Sequence, residues 1–355
     1  MMKEFGSDFH RCDFDFRVDK FQLDILGSTR FYACGRHAIE AIIKQEKWKR
    51  IWMPAYFCYE VIGYIRSTGI EVMLYDDYPL NEDDDIVVRS LPFKEGDVLF
   101  RTDYFGLRKW RTNQDINVPV IEDHTHGLIT DWSIRSDADW CIASLRKSLP
   151  VAAGGMLWSP KGKQLPNNIM PTNECLAMSK ERYEAMSMKA NYLRTDYATD
   201  MDDANAKNAF REKYVDTEEQ ISNLTLSGID DQSREISNNF NIKLWTDLKY
   251  DNWLIANQIL GNRFNIIGGE RNGYWHPFSL ILLMNSAEER KALQQYMVKH
   301  KIYPAVLWRM PDNIVFEDAK DFSERMLSVH CDVRYSRAEI IEMCNIINDF
   351  YDTDI

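Results

Sequence analysis

One lysine lies between a serine and a glycine pair in the segment SLRKSLPVAAGG, residues 144–155. Lys147 follows Ser144 by three residues, a spacing found in enzymes whose nucleophilic serine uses lysine as its base. Those enzymes usually carry S-D-N and K-T-G motifs as well, and neither string occurs in this chain. A lysine amine can also bond a carbonyl cofactor directly. The segment therefore favours a reactive amine at Lys147 over a reactive serine.

A second group of reactive side chains lies in IEDHTHG, residues 121–127. Asp123, His124 and His126 follow an apolar run, and carboxylates and imidazoles at this spacing can ligate a metal. A metal-dependent hydrolase built on these three residues is therefore one interpretation. The remaining histidines are isolated in the sequence, so no second cluster completes such a site. Imidazoles satisfied by hydrogen bonds in the core are the other interpretation.

Pyridoxal phosphate would use both segments together. This cofactor needs a lysine, a carboxylate beside its pyridine nitrogen, a helix N-terminus for its phosphate and usually an aromatic side chain over its ring. Lys147 and Asp123 are the candidates for the first two roles. The candidates for holding the cofactor are Gly35 and Arg36 at the start of a predicted helix, Ser144 beside the lysine, and Tyr56 and Phe57 after a predicted strand.

Alternating helical and strand-like patterns from about residue 30 to 160 predict the elements that position these groups. Most of the predicted strands are continuous apolar runs, which is typical of strands buried on both faces of a mostly parallel sheet. Such alternation predicts an α/β domain, with the ligand beyond the carboxyl ends of the strands. Asp103, Asp123 and Ser144 all lie at such ends and are expected to converge. The predicted strands are 50–54, 70–76, 97–106, 118–123, 139–144 and 154–160, and the predicted helices begin after Gly35 and at residue 58.

The second half of the chain changes character. Residues 174–194 predict a helix, whereas the acidic and weakly periodic residues 195–220 are interpreted as a mobile or partner-facing segment, the alternative being a solvated loop and helix. From about residue 236 the pattern becomes α+β. We therefore expect a large α/β domain over residues 1–235 and a smaller α+β domain over residues 236–355.

Composition excludes several classes of function. The formal net charge of −12 argues against a nucleic-acid-binding surface. No apolar run approaches the roughly 20 residues that cross a bilayer, and the polar, acidic N-terminus is unlike a secretory signal. Seven scattered cysteines without a C-x-x-C pair indicate reduced thiols. We expect a cytoplasmic protein that binds neither nucleic acid nor membrane.

The order of the motifs resembles the DegT/DnrJ/EryC1/StrS aminotransferase family of fold-type I pyridoxal-phosphate enzymes. In that family a helix-opening phosphate loop precedes a strand ending P-x-[FY]-T, a strand ending E-D, and a lysine with Gly-Gly seven or eight residues later. The counterparts here are CGRHAIEAI, MPAYFC, VIEDHTHG and SLRKSLPVAAGG. HKIYPAVLW and MLSVHCDVRYS resemble segments of the family's small domain, so the resemblance spans about residues 25–350.

Three positions depart from the family pattern. His126 stands where the family commonly has Gln, and Ile142 or its neighbour Cys141 occupies the position of the family's serine, which leaves Ser144 offset. Gly35 and Arg36 replace the usual small phosphate loop. The resemblance is therefore to a divergent branch.

The resemblance implies a large domain with a mostly parallel seven-stranded sheet and a homodimer. It implies that Lys147 carries pyridoxal phosphate as a Schiff base and moves a proton, that Asp123 keeps the pyridine nitrogen protonated, and that His126 contacts the ring or its phenolic oxygen. Arg334 could bind a substrate carboxylate or pair with Asp332.

The implied reaction transfers an amino group from an amino acid such as glutamate to a keto sugar carried on a nucleotide. Another pyridoxal-phosphate reaction, such as dehydration or transfer to a non-sugar ketone, is the alternative. A binding protein that keeps the fold without turnover is a third interpretation, against which the presence of Lys147 and Asp123 argues.

Overall fold

The structure is a computed structural model that describes residues 3–12, 26–268 and 276–352. Its strands are β1 (Phe5–Gly6), β2 (Thr29–Tyr32), β3 (Arg50–Pro54), β4 (Glu71–Tyr75), β5 (Asp97–Thr102), β6 (Val120–Asp123), β7 (Trp140–Ser144), β8 (Gly155–Trp158), β9 (Asn265–Ile267), β10 (Leu280–Leu283), β11 (Ile302–Tyr303) and β12 (Met326–Val329). Its helices are α1 (Gly35–Glu46), α2 (Tyr59–Ser67), α3 (Asp84–Ser90), α4 (Asp131–Arg135), α5 (Asn173–Arg194), α6 (Asp200–Asn223), α7 (Asp231–Asn239), α8 (Ile242–Leu260), α9 (Ala287–Lys299), α10 (Glu317–Arg325) and α11 (Arg337–Asn348).

A seven-stranded sheet forms the centre of the fold, in the order β2-β8-β7-β6-β5-β3-β4. The pairs from β7 through β6, β5 and β3 to β4 are parallel, whereas β8 runs antiparallel to both β7 and β2. Residues of β3, β5, β6 and β7 are almost all buried, which explains their continuous apolar sequences. The predicted α/β class and mostly parallel sheet are confirmed.

The carboxyl ends of the parallel strands meet as the sequence predicts. The backbone N–H of Asp103 donates to the carbonyl of Asp123 at 3.0 Å. The backbone N–H of Ser144 donates to Thr125 Oγ1 at 2.9 Å, which ties the end of β7 to the segment after β6. Side chains that follow β5, β6 and β7 therefore share one edge of the sheet.

The acidic segment 195–220 is mostly helical, and its residues from Asp200 belong to α6, which packs against α5. Phe210, Tyr214, Thr217 and Ile221 are its buried side chains. Their spacing of four, three and four residues is the one-sided apolar stripe of an amphipathic helix. The helix agrees with the alternative of a connecting loop and helix, while a partner-facing role for its exposed side stays a prediction.

A second sheet lies in the C-terminal part of the chain. β10 is its centre and pairs antiparallel with both β9 and β12. Apolar side chains of α8, α9 and α11 pack with this sheet in one buried cluster. The α+β character expected after residue 236 is present, while the domain boundary between residues 235 and 236 stays a prediction. Among the described residues, no helix combines the length and apolar character needed to cross a bilayer.

The glycine pair of the opening segment has a steric cause. A Cβ atom on Gly155 would lie 2.0 Å from the carbonyl oxygen of Cys34, the residue that precedes α1. Gly154 has a φ of +158°, and a Cβ there would lie 2.8 Å from Cβ of Leu145. The start of β8 therefore passes between the end of β7 and the start of α1, where a side chain has no room.

Replacing Gly155 with alanine tests this close approach. The added methyl group must displace backbone, so the variant is expected to lose about 1–3 kcal/mol of unfolding free energy in denaturant titrations. The matched control is Gly63→Ala, because Gly63 is exposed in α2 and a Cβ there meets nothing within 4 Å. The control is expected to gain roughly 0.5–1 kcal/mol. Equal stability of Gly155→Ala and the wild type would contradict this account.

Candidate active site

A cavity opens at the carboxyl edge of the central sheet, between the start of α1, the ends of β6 and β7, and α6. It contains seven of the eight residues named from the sequence: Gly35, Arg36, Phe57, Asp123, His126, Ser144 and Lys147. Tyr56 is the exception. The candidates of the large domain therefore converge, although they are spread over more than 100 residues of sequence.

Lys147 is held by a short turn that follows β7. Leu145–Lys147 forms a 3-10 turn, and the backbone N–H of Leu145 donates to the carbonyl of Gly154 at 2.9 Å. Leu145 is fully buried and anchors the turn, whereas the side chain of Lys147 is exposed at the cavity. The amine is thus carried on a rigid strand end and is open to a ligand.

Asp123 presents a buried carboxylate to the same cavity. Its Oδ1 accepts a hydrogen bond from the backbone N–H of Thr125 at 2.8 Å. Burial raises the pKa of Asp123 from its usual 3.8 to about 6, although hydrogen bonds from Thr125 act in the opposite direction. Neither hydrogen bond brings a positive charge. A ligand that offers a cationic N–H would therefore stabilise the ionised carboxylate.

The N-terminus of α1 faces the cavity without a side-chain cap. Cys34 precedes the helix, accepts no backbone N–H through its side chain, and the first turn holds no acidic residue. The first N–H groups of a helix have no partner within it, so an uncapped end is suited to an anion. Gly35 lies against Ser144, since a Cβ on Gly35 would be 3.2 Å from Cβ of Ser144.

Arg36 lies beside this helix end and is partly engaged with α6. Its Nη2 donates to the carbonyl of Ile221 at 3.2 Å, and its guanidinium lies 5.4 Å from the ring centre of Tyr64. These contacts keep the cation at the wall of the cavity. Arg36 adds positive charge where the N-terminus of α1 already favours an anion.

The aromatic pair after β3 divides between the cavity and the core. Phe57 lines the cavity, and its ring centre lies 5.5 Å from that of Trp308. Tyr56 is fully buried on the other side, where its hydroxyl donates to the carbonyl of Leu307 and its ring packs edge-on against Phe322. Both residues lie in the bend that follows β3, and of the two rings only that of Phe57 lines the cavity. Tyr56 is not among the cavity residues.

His126 lies in a stack of aromatic rings at the cavity. Its ring is nearly parallel to those of Phe105, Trp308 and Phe278, with the last centre 4.0 Å away. Burial lowers the pKa of His126 to about 3, and the charges of Lys147 and Lys249 act in the same direction. The imidazole is therefore neutral near pH 7 and can contact a ring but cannot bring a positive charge.

The metal interpretation of Asp123, His124 and His126 does not agree with the structure. His124 lies on the opposite side of the sheet, where its Nε2 is 3.1 Å from Glu122 Oε2, while His126 is in the aromatic stack. The backbone leaves the strand direction after Asp123, where the N–H of Thr125 bonds the Asp123 carboxylate in a turn, and this turn separates the two imidazoles. Across the described part of the chain, the one group of side chains close enough to share a metal is Glu122, His124 and Cys141, away from the cavity.

An ion-pair network beside Lys147 was missed by the sequence analysis. Arg146 and Arg182 both pair with Glu218 of α6, and Arg182 also pairs with Asp8 at 2.6 Å. Arg146 and Glu218 line the cavity next to the lysine. These residues lie far apart in the chain, and no sequence pattern links them. Thr125, by contrast, could have been found, because an Asp that bonds the N–H two residues on is a common turn.

Arg334 serves the fold and not the cavity. Its Nε and Nη2 donate to the two carboxylate oxygens of Asp332 at 2.7 and 2.9 Å, and both residues are buried. Its Nη1 donates to the carbonyl of Asp8 in the N-terminal segment. Of the two interpretations of Arg334, the structure supports the salt bridge with Asp332.

Compared by sequence, the chain matches no family model and no curated protein. Solved structures match over nearly its whole length. PseC from Helicobacter pylori, an aminotransferase involved in the biosynthesis of pseudoaminic acid, has a TM-score of 0.63 at 10% identity, covering 99% of this chain and 100% of PseC. Spr1654 from Streptococcus pneumoniae, in its PLP form, has a TM-score of 0.62 at 13% identity, covering 98% and 93%.

A DegT DnrJ EryC1 StrS aminotransferase from Brucella abortus matches with a TM-score of 0.60 at 12% identity, covering 93% of this chain and 88% of that one. At these identities the matches establish the fold. The chain has the fold-type I architecture of the DegT/DnrJ/EryC1/StrS aminotransferases, and the resemblance inferred from its motifs is confirmed for the fold.

The raised pKa of Asp123 predicts how the stability of the cofactor-free protein depends on pH. Folding favours the protonated carboxyl, so ionisation costs stability as pH rises from about 4 to 6, and the cost stays constant above that range. The free energy of unfolding of Asp123→Asn is therefore expected to exceed that of the wild type by roughly 2–3 kcal/mol at pH 8. The gain should shrink towards zero near pH 4.

The control is Asp216→Asn, which removes an exposed carboxylate from α6. Its unfolding free energy is expected to follow that of the wild type within about 0.5 kcal/mol at every pH. A pH-independent difference between Asp123→Asn and the wild type would mean that Asp123 does not carry the raised pKa.

Proposed function

We propose that this protein is an aminotransferase that uses pyridoxal phosphate bound to Lys147. The observation that carries the proposal is the shared cavity of Lys147, the buried carboxylate of Asp123 and the uncapped N-terminus of α1. The structures that share the fold support it, because PseC and the Brucella abortus protein are aminotransferases and Spr1654 was solved in both PLP and PMP forms.

The buried carboxylate suits the pyridine nitrogen of this cofactor. Asp123 is 7% exposed, and its polar partners in the protein are the neutral groups of Thr125. A protonated ring nitrogen would supply the missing cationic donor, and the carboxylate would in turn keep that nitrogen protonated. Asp123 would therefore keep on the ring nitrogen the proton on which the electron-withdrawing power of the ring depends.

The phosphate would lie at the start of α1. The free N–H groups of the helix, the hydroxyl of Ser144 and the guanidinium of Arg36 are the donors available there. A side chain at residue 35 would come within 3.2 Å of Ser144, so glycine keeps the two backbones close. Ile142 also lines this cavity and offers no hydrogen bond, which leaves more of the binding to the helix end and Arg36.

Pyridoxal phosphate, when bound, withdraws electrons from the α-carbon of an amino acid so that its proton becomes acidic. Lys147 is the base placed to accept that proton at Nζ. Its amine would then deliver the proton to the cofactor. Phe57, Trp308 and the neutral ring of His126 form an aromatic wall that would pack against a flat ring and exclude water.

The proposed reaction moves the amino group of an amino acid such as glutamate to a keto sugar carried on a nucleotide. The pseudoaminic acid pathway enzyme PseC shares this fold, which supports a sugar acceptor. We infer a homodimer as well, because Lys147 is exposed in the single chain and a second subunit would cover it. Seven free cysteines support a cytoplasmic location.

Incubation with pyridoxal phosphate tests the cofactor directly. The wild type is expected to gain absorbance in the violet, and borohydride should fix the cofactor to a single peptide that contains Lys147. The measurement is an absorption spectrum followed by mass spectrometry of a digest. Lys147→Ala should stay colourless, whereas Lys180→Ala, which removes an exposed lysine of α5, should behave like the wild type.

Addition of glutamate to the loaded protein tests the transfer. The violet band should disappear as the cofactor takes the amino group, and 2-oxoglutarate should appear in equal amount. The band should return when a suitable keto acid is added. A violet protein whose spectrum and product analysis do not change with any amino acid would leave the cofactor assignment standing and contradict aminotransfer.

A further inference from the structure

A second cavity lies in the C-terminal part of the chain, between α9 and α10. Its volume is about 700 Å³, which is within the range of small-molecule sites. No residue lines both this cavity and the one that holds Lys147. We call it the basic groove, defined by its cationic wall: Arg290, Lys291, Lys299, Arg309 and Lys320.

The charge of the basic groove contrasts with that of the chain. Five cations face one carboxylate, Glu324, in a protein whose formal net charge is −12. None of the five forms an ion pair with a carboxylate within residues 3–12, 26–268 and 276–352, although Arg50, Arg101 and Arg108 elsewhere do. The groove therefore carries an excess of positive charge.

Arg290 lies close to a second cation of the groove, Arg309. Burial lowers the pKa of the Arg290 guanidinium and the charge of Arg309 acts in the same direction, whereas the carboxylate of Glu324 acts in the opposite direction. Its Nε donates to the carbonyl of Glu324 at 2.8 Å and its Nη1 to Gln294 Oε1 at 2.9 Å, so hydrogen bonds to neutral groups fix its position. An anion between Arg290 and Arg309 would relieve the repulsion between these two cations.

The groove also has an apolar part. Val298 is 45% exposed, and Met310 lies at the same wall. Apolar surface beside clustered cations matches a ligand with an organic body and several negative charges, and guanidinium groups bind phosphate oxygens in pairs. The groove lies between two helices and has a volume of about 700 Å³, which suits a small molecule.

We propose that the basic groove binds a small phosphorylated ligand that carries a diphosphate or an equivalent pair of phosphates. The site is separate from the candidate active site but is linked to it by one chain segment. Trp308 lines the active-site cavity, the next residue Arg309 lines the groove, and Ser323 of the groove donates its hydroxyl to the carbonyl of Trp308. A ligand held by Arg309 therefore acts on the segment that carries Trp308.

Titration calorimetry with inorganic pyrophosphate tests the proposal without relying on activity. The wild type should bind one pyrophosphate per groove, with affinity that falls as salt is added because the contacts are ionic. Lys291→Gln/Arg309→Gln should weaken binding at least tenfold. Both side chains are exposed and make no hydrogen bond in the described structure, so this variant should fold normally.

The control variant is Lys109→Gln/Lys180→Gln, which removes two exposed cations elsewhere and changes the net charge equally. It should bind within twofold of the wild type. Arg36→Gln separates the two cavities, because binding that is lost in this variant but kept in the groove variant belongs to the phosphate site at α1. That result would overturn the proposal. Absence of saturable binding to the wild type would also overturn it, as would equal affinity of Lys291→Gln/Arg309→Gln and the wild type.

Uridine diphosphate and pyrophosphate compared in the same titration identify the source of the ligand. One result is that uridine diphosphate binds the wild type more tightly than pyrophosphate does, and that both bind Lys291→Gln/Arg309→Gln more weakly. That result would mean that the apolar wall of the groove contacts the nucleoside part of the ligand. These binding measurements do not depend on pyridoxal phosphate, so failure of the proposed function would leave them interpretable.

Discussion

The close approach of three backbones at the start of β8 is the constraint on which the site depends. Gly155 lies against the carbonyl of Cys34, and Gly154 lies against Leu145. Any side chain here would separate the start of α1 from the turn that carries Lys147. In the proposed site one small molecule would meet both the start of α1 and the amine of Lys147, so rigid elements have to fix the separation of these two groups.

Much of the fold could be predicted from the sequence because the strands of a parallel sheet are buried on both faces. β3, β5, β6 and β7 appear as short apolar runs, and the polar residues that end them were expected to meet. The helix α6 was harder to predict. Its buried positions Phe210, Tyr214, Thr217 and Ile221 repeat at four, three and four residues, but Thr217 is polar, Tyr214 carries a hydroxyl and the surrounding sequence is acidic.

Site residues could be predicted where a local sequence pattern marks them. They could not be predicted where packing between segments distant in sequence brings them to the cavity. Asp123 was identified because it ends a predicted strand. Lys147 was identified because a glycine pair follows it by seven and eight residues. Glu218 could not be identified in this way, because its place at the cavity is decided by how α6 packs. Phe57 and Tyr56 show a further limit: both follow a strand, and which one faces the ligand depends on the local backbone direction.

The divergent residues change the electrostatics of the site less than their identities suggest. His126 is neutral because it is buried among Phe105, Trp308 and Phe278, so it presents a flat uncharged ring. Ile142 lines the cavity without a hydrogen-bonding side chain, while Arg36 and the uncapped start of α1 lie at the same cavity. The cavity thus combines one cationic side chain and a helix N-terminus with the carboxylate of Asp123.

The proposed function depends most on the pairing of Asp123 with the ring nitrogen of pyridoxal phosphate. Nitrogen-15 NMR of the protein loaded with ring-labelled cofactor measures the protonation of that atom directly. We predict a protonated nitrogen in the wild type near pH 8 and an unprotonated one in Asp123→Asn. An unprotonated nitrogen in the wild type, or the same signal in both proteins, would contradict the assignment of this cavity as the cofactor site.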